Sequence, residues 1–129
     1  MIAAESLSFH PYAQPDKQAC LEIFDSNTPK FFGIDERSEF LGFLTKQTCP
    51  YFIVEQGKTI IACGSYGIHT ESNEVVLAWG MVHHNLHKKG VGSFLLKERL
   101  KIIFQEHPTM RVTIDTSQHS QSFFCPVWI

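Results

Sequence analysis

No stretch of this 129-residue chain is apolar over anything near the roughly 20 residues that a bilayer span requires, so no membrane segment is expected. The first ten residues, MIAAESLSFH, lack a basic start and a long apolar core, and no secretory leader is read there. There is no Cys-x-x-Cys: Cys20, Cys49, Cys63 and Cys125 stand far apart, which excludes the common zinc and redox motifs. They read as reduced, mostly buried thiols of a cytoplasmic protein. Charge of neither sign dominates. A net charge of −2 and the lack of a long like-charged block argue against nucleic acid as a partner. No Gly-Lys-Ser/Thr follows a glycine spacer, so a nucleoside-triphosphate loop is a poor match, and no third glycine completes a dinucleotide fingerprint. Low-complexity segments and internal repeats are also missing. At this length the chain is expected to be one domain, residues 1–129, without room for a second core.

What is present is concentrated between Glu74 and Phe104. The run EVVLAWGMVH is rich in Val, Leu, Trp and Met and suits a mostly buried strand. HNLHKK follows as a polar turn ending in Gly90 and Gly92. GVGSFLLKERLKIIF then carries apolar residues at helical spacing, at Val91, Leu95 and Ile102 and at Leu96, Leu100 and Ile103. On this reading Lys97, Glu98, Arg99 and Lys101 are left to water. Strand, glycine turn and helix start together make an anion site. The first helical N–H groups have no intrahelical partner and the helix dipole adds positive potential there. Glycines allow close backbone approach, and Lys88 and Lys89 add charge.

The hexapeptide His87-Lys88-Lys89-Gly90-Val91-Gly92 resembles the signature of the Gcn5-related N-acetyltransferase (GNAT) family: Gln or Arg, two residues, Gly, one residue, then Gly or Ala. His87 departs from the first position. The resemblance implies an acyl-CoA N-acyltransferase-like fold, with acetyl-CoA as co-substrate and no metal. Loop amides would hold the diphosphate, and the strand end at Met81 and Val82 would pair with the pantetheine arm. The cofactor-binding set it implies is Met81, Val82, His87, Lys88, Lys89, Gly90, Val91, Gly92, Ser93 and Ser117.

Taken in order, Leu7–Tyr12 reads as a strand, with Leu7 and Phe9 on one face. Pro15 and Asp16 suit the first turn of a helix running to Asp25, with Cys20, Ile23 and Phe24 as its stripe. Asp35 is expected to cap a helix to Lys46. Tyr51–Glu55 and Thr59–Ile68 read as a hairpin around Gln56-Gly57-Lys58, and Gly64 and Gly67 predict bends or a bulge. Gly80 inside the next strand marks either a bulge or room made for Trp79 or a neighbour. Met110–Ile114 alternates as a strand, and a short helix is expected through Phe124. The class is therefore α+β, a mixed and mainly antiparallel sheet flanked by helices.

Carried over to catalysis, the resemblance leaves gaps. Phe124 stands where many members have an acidic tyrosine, and Val76 where some have a strand glutamate. Glu74, His83 and His84 are the remaining candidates for proton transfer, an imidazole being suited to neutral pH. Phe31, Phe32 and Phe40 are candidates for lining an acceptor pocket, against the alternative of ordinary core. The histidines at 83, 84 and 87 lack Cys or carboxylate at ligand spacing, so no metal is expected. The chain ends at Ile129, before the family's usual last strands, leaving two alternatives: a truncated product, or a homodimer that completes the sheet. The expected activity is acetyl transfer to a primary amine of a small molecule or a protein. The alternative is a non-catalytic acyl-CoA-binding sensor or scaffold.

Overall fold

The computed structural model describes residues 4–27, 36–46, 50–69 and 72–114. Its strands are β1 (Leu7–Pro11), β2 (Tyr51–Gln56), β3 (Thr59–His69), β4 (Glu74–Val82) and β5 (Arg111–Ile114). Its α-helices are α1 (Lys17–Ser26), α2 (Glu36–Lys46) and α3 (Val91–Glu106). The strands form one sheet in the order β1-β2-β3-β4-β5. The first three pairings are antiparallel, and a two-residue turn, Gly57-Lys58, joins β2 to β3. The last is parallel, because α3 carries the chain across the sheet between β4 and β5. This is the expected mixed, mainly antiparallel α+β arrangement. Asp35, Phe31, Phe32, Ser117 and Phe124, with the expected short helix after β5, lie outside the described residues.

Alternation along the strands divides the core between two faces. On one, Cys20, Ile23 and Phe24 of α1 and Phe40 and Leu44 of α2 pack on Ile53, Cys63, Ala78, Trp79 and Met81. On the other, α3 sets Val91 and Leu95 against Val54, Ala62 and Val82, and Ile103 against Phe52, Tyr66 and Leu77. The α1 stripe is the one the sequence predicts.

Two readings are corrected. Pro15 and Asp16 form a separate 3-10 turn, Gln14–Asp16, in which the Asp16 carboxylate accepts from the Ala13 N–H at 2.9 Å; the α-helix starts at Lys17. Arg99 is not left to water. It is 6% exposed, in the middle of the helix stripe Val91, Leu95, Arg99 and Ile103, each one turn from the next. Among the described residues, no helix is long and apolar enough to cross a membrane.

Candidate functional site

Among the described residues, strand β4 has two neighbours for only part of its length. Glu74–Leu77 pair in register with Arg111–Ile114 of β5 on one side and with β3 on the other. Beyond Leu77 the described ladder to β5 stops, while β4 runs on beside β3 to Val82. The opening is a cavity of about 280 Å³, lined by the run from Leu77 to Val82 of β4 and by Gly92, Leu95, Leu96 and Arg99 of α3. It extends from Val82 and Gly92, at the start of α3, inwards to Leu77 and Arg99.

The strand is distorted inside this opening. Cys63 faces Met81 and Ser65 faces Ala78, so Trp79 and Gly80 stand opposite Gly64 alone, a β-bulge. The residue in the left-handed region is Trp79, at φ 52°, not the glycine beside it. A bulky side chain there is strained, at a cost of order 1–3 kcal/mol. Its surroundings hold it in place. The indole is 5% exposed and its ring centroid lies 5.1 Å from that of Phe40 and 6.1 Å from that of Phe43. The Tyr51 hydroxyl donates to the Trp79 carbonyl at 3.2 Å. Burial raises the Tyr51 pKa well above the ordinary phenol value, so that hydroxyl keeps its proton.

At the outer end the turn is tied down by side chains. The Val82 carbonyl accepts from Asn27 Nδ2 and from His87 Nε2, each at 3.0 Å. The His84 N–H donates to Ser26 Oγ at 3.0 Å. Lys88 and Gly90 both take positive φ, 65° and 87°, and turn the chain into α3. The first bond of α3 runs from the Phe94 N–H to the Gly90 carbonyl at 3.1 Å. The amides of Val91, Gly92 and Ser93 therefore precede any intrahelical acceptor, at the positive end of the helix, and Gly92 lines the opening.

The residues singled out from the sequence divide accordingly. Met81, Val82 and Gly92 line the opening. Exposed Lys88 and Lys89 flank the turn, and Gly90, Val91 and Ser93 form the helix start. The His87 ring holds the strand end to the turn. Glu74 is not brought to the opening. It pairs with His69 and Arg111 at the far end of β4, roughly 20 Å from Gly80 at the usual strand rise. His83 and His84 lie past the outer end. The His83 Nδ1 accepts from the Asn85 N–H at 3.2 Å, and the exposed His84 ring stands edge-on to His87. Phe40 is core: wholly buried, stacked on Phe24 at 5.5 Å and packed against Trp79.

Two features of the site were missed from the sequence, the left-handed Trp79 and the buried Arg99. Arg99 is the one charged residue in the described lining. Its Nη1 donates to the Ser65 carbonyl at 2.9 Å, and its Nε has no hydrogen-bond partner. Two glycines make its room: a Cβ at Gly64 would sit 3.0 Å from the guanidinium carbon, and one at Gly80 3.1 Å from Nη2. Burial lowers the Arg99 pKa to about 10, against raising contributions from Tyr51 and Cys63, so the group stays cationic at neutral pH. The signal was available: its neighbours four residues either way are apolar, and glycines stand on adjacent buried strands.

The family model described as the acetyltransferase (GNAT) family matches residues 17–124. Solved structures share the fold at low identity. A protein from Desulfovibrio desulfuricans assigned to the GNAT family superposes with a TM-score of 0.69 at 15% identity, over 78% of this chain and 67% of that one. A GNAT family acetyltransferase from Brucella melitensis, in complex with acetyl-CoA, gives 0.65 at 13% identity, over 78% and 70%. A ribosomal-protein-alanine N-acetyltransferase from Brucella melitensis biovar Abortus 2308 gives 0.64 at 9% identity, over 89% and 83%. No curated protein sequence matches the chain.

Proposed function

The chain belongs to the acetyltransferase (GNAT) family, and from that premise we propose that it transfers an acetyl group from acetyl-CoA to a primary amine. One observation carries the reading: the run of β4 from Leu77 to Val82 and Gly92 at the start of α3 line one opening, so a strand and a helix N-terminus share it. The diphosphate would rest on the amides of Val91, Gly92 and Ser93, with Lys88 and Lys89 adding positive charge. The amide-bearing pantetheine arm would lie along β4 from Val82 inwards, as an added strand. The thioester would then reach the bulge. There the bulge at Trp79 and Gly80 would let the strand backbone turn toward the thioester carbonyl and polarise it while the amine attacks. Holding the two reactants together supplies much of the rate. Acceptors in the class are small-molecule or protein amines, and the reaction is assigned to the cytoplasm.

A second reading has its own support. Among the described residues, the lining of the opening contains no carboxylate and no imidazole. That fits a module that binds acyl-CoA without turning it over.

Calorimetry with CoA tests the shared part. Saturable binding is expected, and Gly90→Glu should weaken it at least 100-fold by placing a carboxylate where phosphates would sit. Gly90→Ala carries the same strained φ without the charge, and should retain binding to within about tenfold. Unchanged affinity in Gly90→Glu would refute the site. Release of free thiol from acetyl-CoA on adding a panel of primary amines separates enzyme from module.

A further inference from the structure

A cation at the inner end of an apolar opening invites an explanation in terms of charge. Arg99 is 6% exposed and, among the described residues, forms no ion pair. One of its nitrogens donates to a backbone carbonyl and its Nε is left without a partner. Burying such a group costs several kcal/mol unless an anion joins it. Apolar core of similar volume would serve the helix stripe better, since Val91, Leu95 and Ile103 already fill its other positions. Two strands also give up side chains, at Gly64 and Gly80, to admit the guanidinium.

Its position along the opening limits what the anion is. The mouth lies at Val82 and Gly92; Arg99 and Leu77 lie at the inner end. That run is about 16 Å along the strand and about 10 Å along the helix. The diphosphate charges would stay at the mouth. With the arm inserted, the group reaching the inner end is the thioester. Acyl transfer creates one new anion there. The amine nitrogen forms a bond to the acyl carbon, the carbon–sulfur bond breaks, and its electron pair leaves on sulfur. The proton shed by the new amide nitrogen goes to solvent. A thiolate released among the apolar side chains of Leu77, Ala78, Met81 and Leu95 is poorly solvated and gains from a positive partner. On these grounds, and resting on the acetyl-CoA reading above, we propose that Arg99 forms the subsite for the leaving thiolate of CoA.

The titratable side chains acting on the guanidinium are Tyr51 of β2 and Cys63 of β3. The parts of β4 and α3 that line the opening carry no others. Tyr51 is held protonated by burial, so the cation meets no competing negative charge from it near neutral pH.

The test measures thiol ionisation rather than turnover. CoA and its sulfur-free analogue dethio-CoA are titrated into the whole protein between mildly acid and alkaline pH, and thiolate is followed by its ultraviolet absorbance. Bound CoA should ionise about 1–3 pH units below free CoA. CoA should bind at least tenfold more tightly than dethio-CoA at alkaline pH, and equally in acid. Arg99→Met should abolish both effects while leaving dethio-CoA affinity within a few-fold, and Arg99→Lys should restore part of them. If Arg99→Met fails to fold, the unmodified protein decides: an unshifted thiol overturns the proposal. A thiol lowered equally in Arg99→Met overturns it too. So does a preference for succinyl-CoA over butyryl-CoA that Arg99→Met removes without moving the thiol, since the cation would then serve an acyl carboxylate. Failure of dethio-CoA itself to bind would sink the acetyl-CoA reading, and this one with it.

Discussion

The two ends of β4 are built on different terms. Between Glu74 and Leu77 the strand is paired on both sides, and its buried residues are Val75, Val76 and Leu77, with extended backbone and ordinary β-branched or aliphatic packing. Between Ala78 and Val82 its pairing among the described residues is with β3, and it carries a bulge and a left-handed tryptophan and lies over a buried arginine. The closed end gains its stability from where it is. The open end needs neighbours to hold it in a shape it would not choose: Tyr51 on the Trp79 carbonyl, Phe40 and Phe43 on the indole, Asn27 and His87 on the Val82 carbonyl. Strain kept at a site and balanced by its surroundings is a mark of function rather than of poor packing.

Truncating one residue in each half sharpens the contrast most. Trp79→Ala should cost about 3–5 kcal/mol, because it empties the aromatic cluster yet leaves the backbone at positive φ. Val75→Ala should cost about 1.5–3 kcal/mol. Urea unfolding followed by far-ultraviolet circular dichroism measures both. CoA affinity should fall at least tenfold in the first variant and stay within twofold in the second, as read by calorimetry. Equal affinity losses would show that the two halves are not separate in function.

A smaller effect tests whether the glycines exist for the arginine. Gly64→Val places methyl groups against a guanidinium that already lies 3.0 Å from a bare Cβ, and overpacking of this kind costs about 1–3 kcal/mol. Against an Arg99→Met background, where a flexible chain replaces the planar head, the same change should cost roughly 1 kcal/mol less. Strict additivity in the double-mutant cycle would mean that Gly64 serves the strand alone. Weaker again, Asn27→Ala should cost about 1 kcal/mol, since the Val82 carbonyl keeps its bond from His87.

The contrast within β4 also sets what the sequence could convey. The architecture could be read because each element follows one period, and because Gly57 and Gly90 stand where positive φ is needed. The opening was readable at its mouth, where glycine, lysine and helix start are contiguous in sequence. Its inner end was not. Arg99 was assigned to solvent by residue type, although the spacing from Leu95 and Ile103 places it on the buried stripe. Gly80 was read as marking either a bulge or room for a neighbour, and it does both: the strand bulges there and a guanidinium takes the space, while Trp79 takes the strained torsion. Such outcomes depend on contacts between strands and helix that no local pattern contains. Phe40 was open to a second reading for the same reason, since an aromatic on an apolar helix face looks alike in core and in cleft.

The opposite edge of the sheet offers a last comparison, one with ordinary chemistry and a small effect. On β1, the His10 Nδ1–H donates to the Pro11 carbonyl at 2.9 Å and Nε2 meets the Glu55 carboxylate of β2. Partial burial pulls the His10 pKa down. The Pro11 bond, the Glu55 bond and charge, and the charge of Asp16 pull it up and prevail, so it lies above its ordinary value of 6.5. A folded-state pKa raised above the unfolded one stabilises the fold fully below the unfolded value, and the contribution disappears as pH rises through the folded value. Stability attributable to His10 should therefore be greatest near pH 5.5 and fade on the alkaline side. Both side chains are partly exposed, at 37% and 25%, so solvent and salt screen the pair and keep the effect small. Urea midpoints across that range, compared between the parent protein and Glu55→Gln, read it directly: the variant should flatten the slope without changing CoA affinity. A slope of opposite sign would mean that desolvation outweighs the ion pair. An accompanying loss of CoA binding would mean that the two sides of the sheet are coupled.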